Sequence, residues 1–211
     1  MTFSIFHFYK QQQLKKKTAK ASEENCYADI EAAFDYLLKE KNITPEQIVL
    51  YGRSLGSGPS CYLAEKTAQS GRPVAGLILH SPFTSVYRVV LDFGVTMPGD
   101  QFPNIDRIPQ IQCPVMIIHG DKDDVVPVEH GKALHEALPS NLRAEPLFVK
   151  GMGHNGFPFH VEVVILHRIT AYLDFHILAR QLWMLPVKKE PKKKRSKSSA
   201  GKATKHTIKA V

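Results

Sequence analysis

The chain has 211 residues and 23.7 kDa, with 43 % hydrophobic and 9 % aromatic residues, a composition for one globular domain in a chain too short for two. No run approaches the ~18 uninterrupted apolar residues that a membrane-spanning helix needs, which excludes an integral membrane protein. The net charge of +8 resolves into +5 over residues 1–22, −6 over 23–185 and +9 over 186–211, so the basicity belongs to two tails around an acidic body.

Residues 1–22 read as a disordered basic leader, because Gln11–Gln13 and Lys15–Lys17 have nothing to bury. Met1–Tyr9 is apolar but short, is followed rather than preceded by lysines, and lacks a small-residue cleavage site. It does not read as a secretory signal, and a cytoplasmic location is expected. From the N-cap candidate Ser22, apolar residues Tyr27, Ile30, Phe34, Leu37 and Leu38 recur at helical spacing up to Asn42. Thr44–Gln47 is a capped turn with proline at the first helical position, leading into a buried strand over Ile48–Tyr51. The motif Gly52-Arg-Ser-Leu-Gly56 follows, then a helix to about Gln69 and a second strand over Val74–Leu79. Thr84–Phe93 has a helical pattern, whereas Pro98, Pro103 and Pro109 predict an irregular excursion over Met97–Ile111. Cys113–His119 is a third strand, Val128–Leu138 a helix, Glu145–Val149 a fourth strand and Val161 to about Leu185 a long final helix. Strands alternating with helices predict the α/β class with a mostly parallel sheet. Beyond Pro186 the Lys/Ser/Ala/Thr composition is that of a disordered tail.

The chemistry starts at Ser54, which sits in G-x-S-x-G between a strand and a helix. A strained strand-to-helix turn of this kind pushes the serine hydroxyl out of the sheet, and the flanking glycines are expected to let strand and helix approach. A serine hydroxyl is a weak nucleophile near neutral pH, so it needs a base and a group to orient that base, in the order Ser, Asp, His. Asp121, Asp123 and Asp124 follow the third strand, and His154 lies in the glycine-rich segment Gly151–Asn155 after the fourth. His154 is the candidate base. Any of the three aspartates satisfies the order, the others capping backbone N–H groups as turn aspartates do. His80, His119, His130, His135, His160 and His167 lack metal-ligand spacing and read as structural or exposed. Cys26, Cys61 and Cys113 are odd in number and without C-x-x-C spacing, so they read as thiols rather than disulfide halves or zinc ligands. No metal and no cofactor is implied.

These residues resemble the α/β-hydrolase superfamily, and more closely the α/β-hydrolase domain-containing proteins of subfamily seventeen, cytosolic serine hydrolases associated with removing palmitate from protein cysteines. The resemblance is carried by Tyr27–Ala33, Leu50–Ser60, His80–Ser85, Phe102–Asp106, Cys113–Gly120 and Gly153–Asn155, over about residues 23–180. It implies Ser54 as nucleophile, Asp123 as acid and His154 as base, with the backbone N–H of Leu55 as one oxyanion donor and Ser81–Phe83 near the acyl site. It also implies a palmitoylated protein or a lipid-like ester as substrate and cleavage of an ester or thioester through an acyl-serine intermediate. The family fold has further strands before the nucleophile, a second oxyanion donor after its third strand and a cysteine-rich N-terminus. By this resemblance the chain is expected to be N-terminally truncated, a C-terminal hydrolase part over 23–185. Two other readings follow: a catalytically impaired truncated form, or a protein acting through its tails. Residues 188–197 resemble a nuclear-import signal and equally suit an anionic membrane surface. No aromatic-interleaved surface accompanies them, so sequence-specific nucleic-acid binding is not expected.

Overall fold

A computed structural model describes residues 21–90, 98–156 and 158–179. The basic leader up to residue 20, residues 91–93 of the third helical pattern, the final helix beyond residue 179 and the Lys-rich tail lie outside the described residues.

Four parallel strands form one sheet in the order β1-β2-β3-β4, with β1 at Val49–Arg53, β2 at Gly76–His80, β3 at Val115–Gly120 and β4 at Leu147–Val149. Arg53 pairs with His80, His80 with Ile118 and Gly120 with Val149, so all four strands end on one edge. Strands β2 and β3 are buried throughout, as their near-continuous apolar sequences require of a parallel sheet covered on both faces. Leu50, Leu77, Leu79, Val115 and Ile117 face a core shared with helix α1 (Glu23–Lys39), helix α2 (Ser57–Gln69) and Leu134 of a later helix. The alternate residues Val49, Ile78, Met116 and Ile118 pack against Val161, Ile165, Tyr172 and Ile177 on the other face. Among the described residues the outer edge of β1 has no strand partner.

Helix α1 begins where its cap was expected: Ser22 Oγ accepts from the Asn25 amide, and Glu23 and Glu24 sit at the positive end of the helix dipole. The Thr44 turn is a short 3₁₀ segment, Pro45–Gln47, closed by the Thr44 amide donating to Gln47 Oε1 at 3.0 Å. Strand β1 runs two residues past its predicted end, to Arg53, because its ladder with β2 continues to His80. Helix α3 covers Val86–Val90. The stretch read as irregular contains helix α4 (Asn104–Arg107) and a 3₁₀ turn over Ile108–Gln110. Pro103 caps the first and Pro109 lies in the first positions of the second, where the missing N–H is unused, so these two prolines begin the turns rather than break them. Helix α5 is Val128–Ala137.

Helix α6 starts at Phe159 rather than Val161 and runs to Tyr172, then widens into a π-helical stretch over Leu173–Leu178. Residues five apart diverge on an α-helix but share a face on a π-helix. The widening therefore lets both Tyr172 and Ile177 press on β2 at Gly76, where a Cβ would collide with the Tyr172 hydroxyl. That hydroxyl donates to the Pro114 carbonyl at 2.7 Å and accepts from the Leu77 amide at 3.1 Å, tying the helix to the sheet.

The flanking glycines of the serine motif differ in what they do. A Cβ on Gly52 would lie 2.6 Å from the Gly56 carbonyl oxygen and 2.7 Å from Ser60 Oγ, so only glycine fits there. A Cβ on Gly56 would meet nothing within 4 Å, and its φ of −64° is open to any residue. The expectation that both glycines serve close approach is thus corrected for Gly56. In a denaturant titration Gly56→Ala is expected to be neutral or to stabilise by about 0.4–1 kcal/mol, whereas Gly52→Ala is expected to destabilise by about 1–3 kcal/mol through overpacking. Equal effects of the two substitutions would contradict this assignment.

Candidate active site

Ser54 directly follows β1 and opens a 3₁₀ turn, Ser54–Gly56, that leads into α2. Its φ of +49° places a non-glycine residue in the left-handed region, a strained state that persists only where the surroundings over-determine it. The Ser57 hydroxyl donates to the Ser54 carbonyl at 2.7 Å and holds the turn from the helix side. Leu55 comes next in the turn, so its backbone N–H lies beside the serine, and the residue is 57 % exposed. Ser54 itself is only half-buried and can be reached from solvent.

The three expected residues meet at the carboxyl edge of the sheet. His154 Nε2 lies 3.0 Å from Ser54 Oγ, and His154 Nδ1 lies 2.8 Å from Asp123 Oδ2 and 3.0 Å from Oδ1. His154 and Asp123 are both buried. Burial alone would raise the Asp123 carboxyl, yet the amides of Val126 (2.8 Å) and Val125 (3.1 Å) and the His154 imidazole hold it below the ordinary carboxylate range. Asp123 is therefore an anion at neutral pH and can only accept. That puts the ring proton of neutral His154 on Nδ1 and leaves Nε2 to accept from Ser54.

The structure chooses among the three aspartates. Asp121 caps the loop after β4 by accepting from the Gly151 amide at 2.6 Å, and Asp124 is exposed. Only Asp123 points at the imidazole. Ser81–Phe83 is buried beside this group: Ser81 has a φ of +49°, its amide donates to the Ile118 carbonyl, and Phe83 packs with Phe102 and Val126.

Two histidines read as structural or exposed turn out to belong to the surroundings of the acid. His119, fully buried, donates from Nε2 to the Val126 carbonyl at 2.8 Å, and the same nitrogen lies 3.4 Å from Asp123 Oδ2. Its Nδ1 faces Gly131, where a Cβ would stand 2.5 Å away, so α5 reaches the ring only because it has glycine there. Burial lowers the His119 pKa and keeps it a neutral donor. The signal in the sequence was its place four residues before the acid. His80, also buried, pairs Nδ1 with the Tyr51 hydroxyl at 2.7 Å. His130 pairs with Thr84 Oγ1 at 2.8 Å, and His160 and His167 are exposed, as expected.

The arrangement is a relay: a reachable hydroxyl, an imidazole aligned to take its proton, and a buried carboxylate to hold the imidazolium that results. Residues 9–177 match the prolyl oligopeptidase family. The chain belongs to this family of α/β-hydrolases. It is 40 % identical over 164 residues to alpha/beta hydrolase domain-containing protein aho-3 of Caenorhabditis elegans, covering 77 % of this chain and 46 % of that protein. It is 38 % identical over 161 residues to alpha/beta hydrolase domain-containing protein 17C of Homo sapiens, covering 76 % of this chain and 46 % of the relative. The chain thus spans about half the length of the curated relatives it matches. The hydrolase fold is further shown by a solved esterase domain from Rhodothermus marinus, with a TM-score of 0.55, 16 % identity and coverage of 72 % of this chain and 69 % of that one.

Burial, reinforced by the Arg53 cation, pushes the His80 imidazole down to about 4 from 6.5. Below pH 6.5 the unfolded chain binds a proton that the folded chain refuses, so stability falls as pH drops from 6.5 toward 4, by up to about 3 kcal/mol. Asp123 adds to the loss only at the acid end of the window, where the unfolded carboxyl begins to bind a proton below about pH 5 and the folded one, with its lowered pKa, does not. Denaturant titrations at pH 7 and 4.5 are expected to show this loss, and His80→Gln to reduce it. A wild-type stability that is flat over that range would refute the assignment.

Proposed function

We propose that the chain is a serine hydrolase that cleaves an ester or thioester through an acyl-Ser54 intermediate, with palmitoylated protein as its substrate class. The observation that carries this reading is the continuous hydrogen-bonded line from Asp123 through His154 to Ser54. In this mechanism Ser54 Oγ attacks the acyl carbonyl while His154 Nε2 takes its proton. The carbonyl oxygen becomes an oxyanion beside the Leu55 N–H. Collapse expels the thiol or alcohol, which receives the proton from His154. Water then attacks the acyl-serine, giving its proton to His154, and the free acid leaves as Ser54 is reprotonated. Positioned proton transfer of this kind contributes about 10²–10⁴ in rate, and each oxyanion donor about 10²–10³.

An acyl substrate is supported by exposed apolar side chains bordering the relay: Leu55, next to Ser54, is 57 % exposed, and Val125, whose amide bonds Asp123, is 51 % exposed. Palmitate removal in particular rests on the motif resemblance to subfamily seventeen, a likeness that the 38 % identity to protein 17C supports. In this reading the protein is cytoplasmic, and its Lys-rich tail draws it to anionic membrane, at about 1 kcal/mol per basic residue near the surface. A second reading, a catalytically impaired form, is favoured by one observation: the outer edge of β1, the strand that carries Ser54, has no strand partner among the described residues.

A fluorophosphonate probe separates the two readings. The folded chain is expected to be labelled at Ser54, with labelling abolished in Ser54→Ala and slowed about 10⁴-fold in Asp123→Asn, which inverts the histidine tautomer. The labelled enzyme class is then refined by comparing a palmitoyl thioester with a peptide amide as substrate. Folded protein that takes up no label would remove the hydrolase reading.

A further inference from the structure

We infer that Arg53 is a positioning residue that holds the His154 loop over Ser54; the inference deepens the serine-hydrolase reading and rests on it for its kinetic consequences. The argument starts from the distance the loop must cover. Ser54 follows β1 and His154 follows β4, at opposite sides of the sheet with β2 and β3 between them. At ~4.8 Å per strand spacing, the loop reaches across about 14 Å to bring His154 Nε2 to Ser54.

Its own sequence supplies little stiffness for this reach. Gly151 and Gly156 both adopt left-handed backbone, with φ of +77° and +67°, and a Cβ on either would meet nothing within 4 Å, so no neighbour packs against the backbone there. The stem is anchored: the Gly151 amide donates to Asp121 Oδ1 at 2.6 Å, the Lys122 amide to the Met152 carbonyl at 3.0 Å, and Met152 lies against Gly120 too closely for any Cβ. The tip, at His154 and Asn155, is tied from the far side of the sheet. Arg53 Nη2 donates to the His154 carbonyl at 2.5 Å and to Asn155 Oδ1 at 2.9 Å.

Arg53 is the last residue of β1 and the one immediately before Ser54. One residue therefore sets the serine by its place in the strand and the imidazole by its side chain. A guanidinium can hold both acceptors because its planar N–H groups are fixed in direction. Misplacing a reacting group by about 1 Å costs roughly 10² in rate, which is the effect such a tie prevents.

The test uses the full chain and two independent measurements. In Arg53→Gln, the rate of Ser54 labelling and kcat on a palmitoyl thioester are expected to fall together by about 10–100-fold while KM stays within about twofold, as for an interaction realised in the transition state. Arg53→Lys, which keeps a donor, is expected to recover part of the loss. Asn155→Ala is expected to lose less than Arg53→Gln, and the double variant to be no slower than Arg53→Gln alone. By hydrogen exchange, the amides of residues 151–156 are expected to exchange faster in Arg53→Gln, with β1, β2 and β3 unchanged. Unchanged loop exchange, faster exchange throughout the core strands, or losses that multiply in the double variant would each overturn the inference. If the wild-type chain takes up no label, the hydrolase reading fails, and the exchange measurement still decides whether Arg53 holds the loop.

Discussion

A parallel sheet ends all its strands on one side, and everything this protein can do follows from that constraint. Arg53, His80, Gly120 and Val149 close the four strands in register, so the loops that leave them emerge as neighbours although they are far apart in the chain. The register is in turn held by burial on both faces. Helices α1, α2 and α5 cover one set of alternate strand residues and α6 with its π-helical end covers the other. A slip of one residue would exchange the two sets and separate the site residues at the same time.

Within this frame, close approach of backbone to backbone does what side-chain packing does elsewhere. Gly52 lets the start of α2 press on β1, Gly76 admits Tyr172 and Ile177, Gly120 admits Met152 and Gly131 admits His119. The first of these contacts sustains the strained backbone of Ser54, and the last brings α5 up to the ring beside the acid. Gly76, at the start of β2, serves the opposite edge, whereas the strain at Ser54 and Ser81 and the other three close approaches lie at or beside the carboxyl edge, where the chemistry is.

The electrostatics divide in the same way. Asp123 is buried but surrounded by donors, from Val125, Val126, His154 and the nearby His119, and so remains charged in a place that would otherwise neutralise it. His80 and His119 are buried too, and there burial outweighs the acceptors, for His119 the Val126 carbonyl and Asp123, so both are held neutral. A charged acid beside neutral imidazoles orients the His154 proton, and Ser54, the one member of the relay left half-exposed, is where a substrate meets it.

The alternation of strands and helices, the cap at Ser22, and the positions of Ser54 and His154 are legible along the chain, because apolar periodicity, capping chemistry and glycine-flanked turns are local properties that neighbouring residues decide. The sequence pointed to Asp123 only through a family resemblance, since three aspartates within four positions are equivalent until a loop is folded around one of them. Helix α4, the π-helical widening after Tyr172, the dispensable Cβ space at Gly56 and the roles of His119 and Arg53 were decided by tertiary structure alone. Each depends on what a distant segment brings into contact: Tyr172 against β2, α5 against His119, the β4 loop against the end of β1. Contacts between residues separated by tens to a hundred positions leave no periodic trace in the chain, because they are selected by the shape of the assembled sheet rather than by the backbone preferences of the residues that make them.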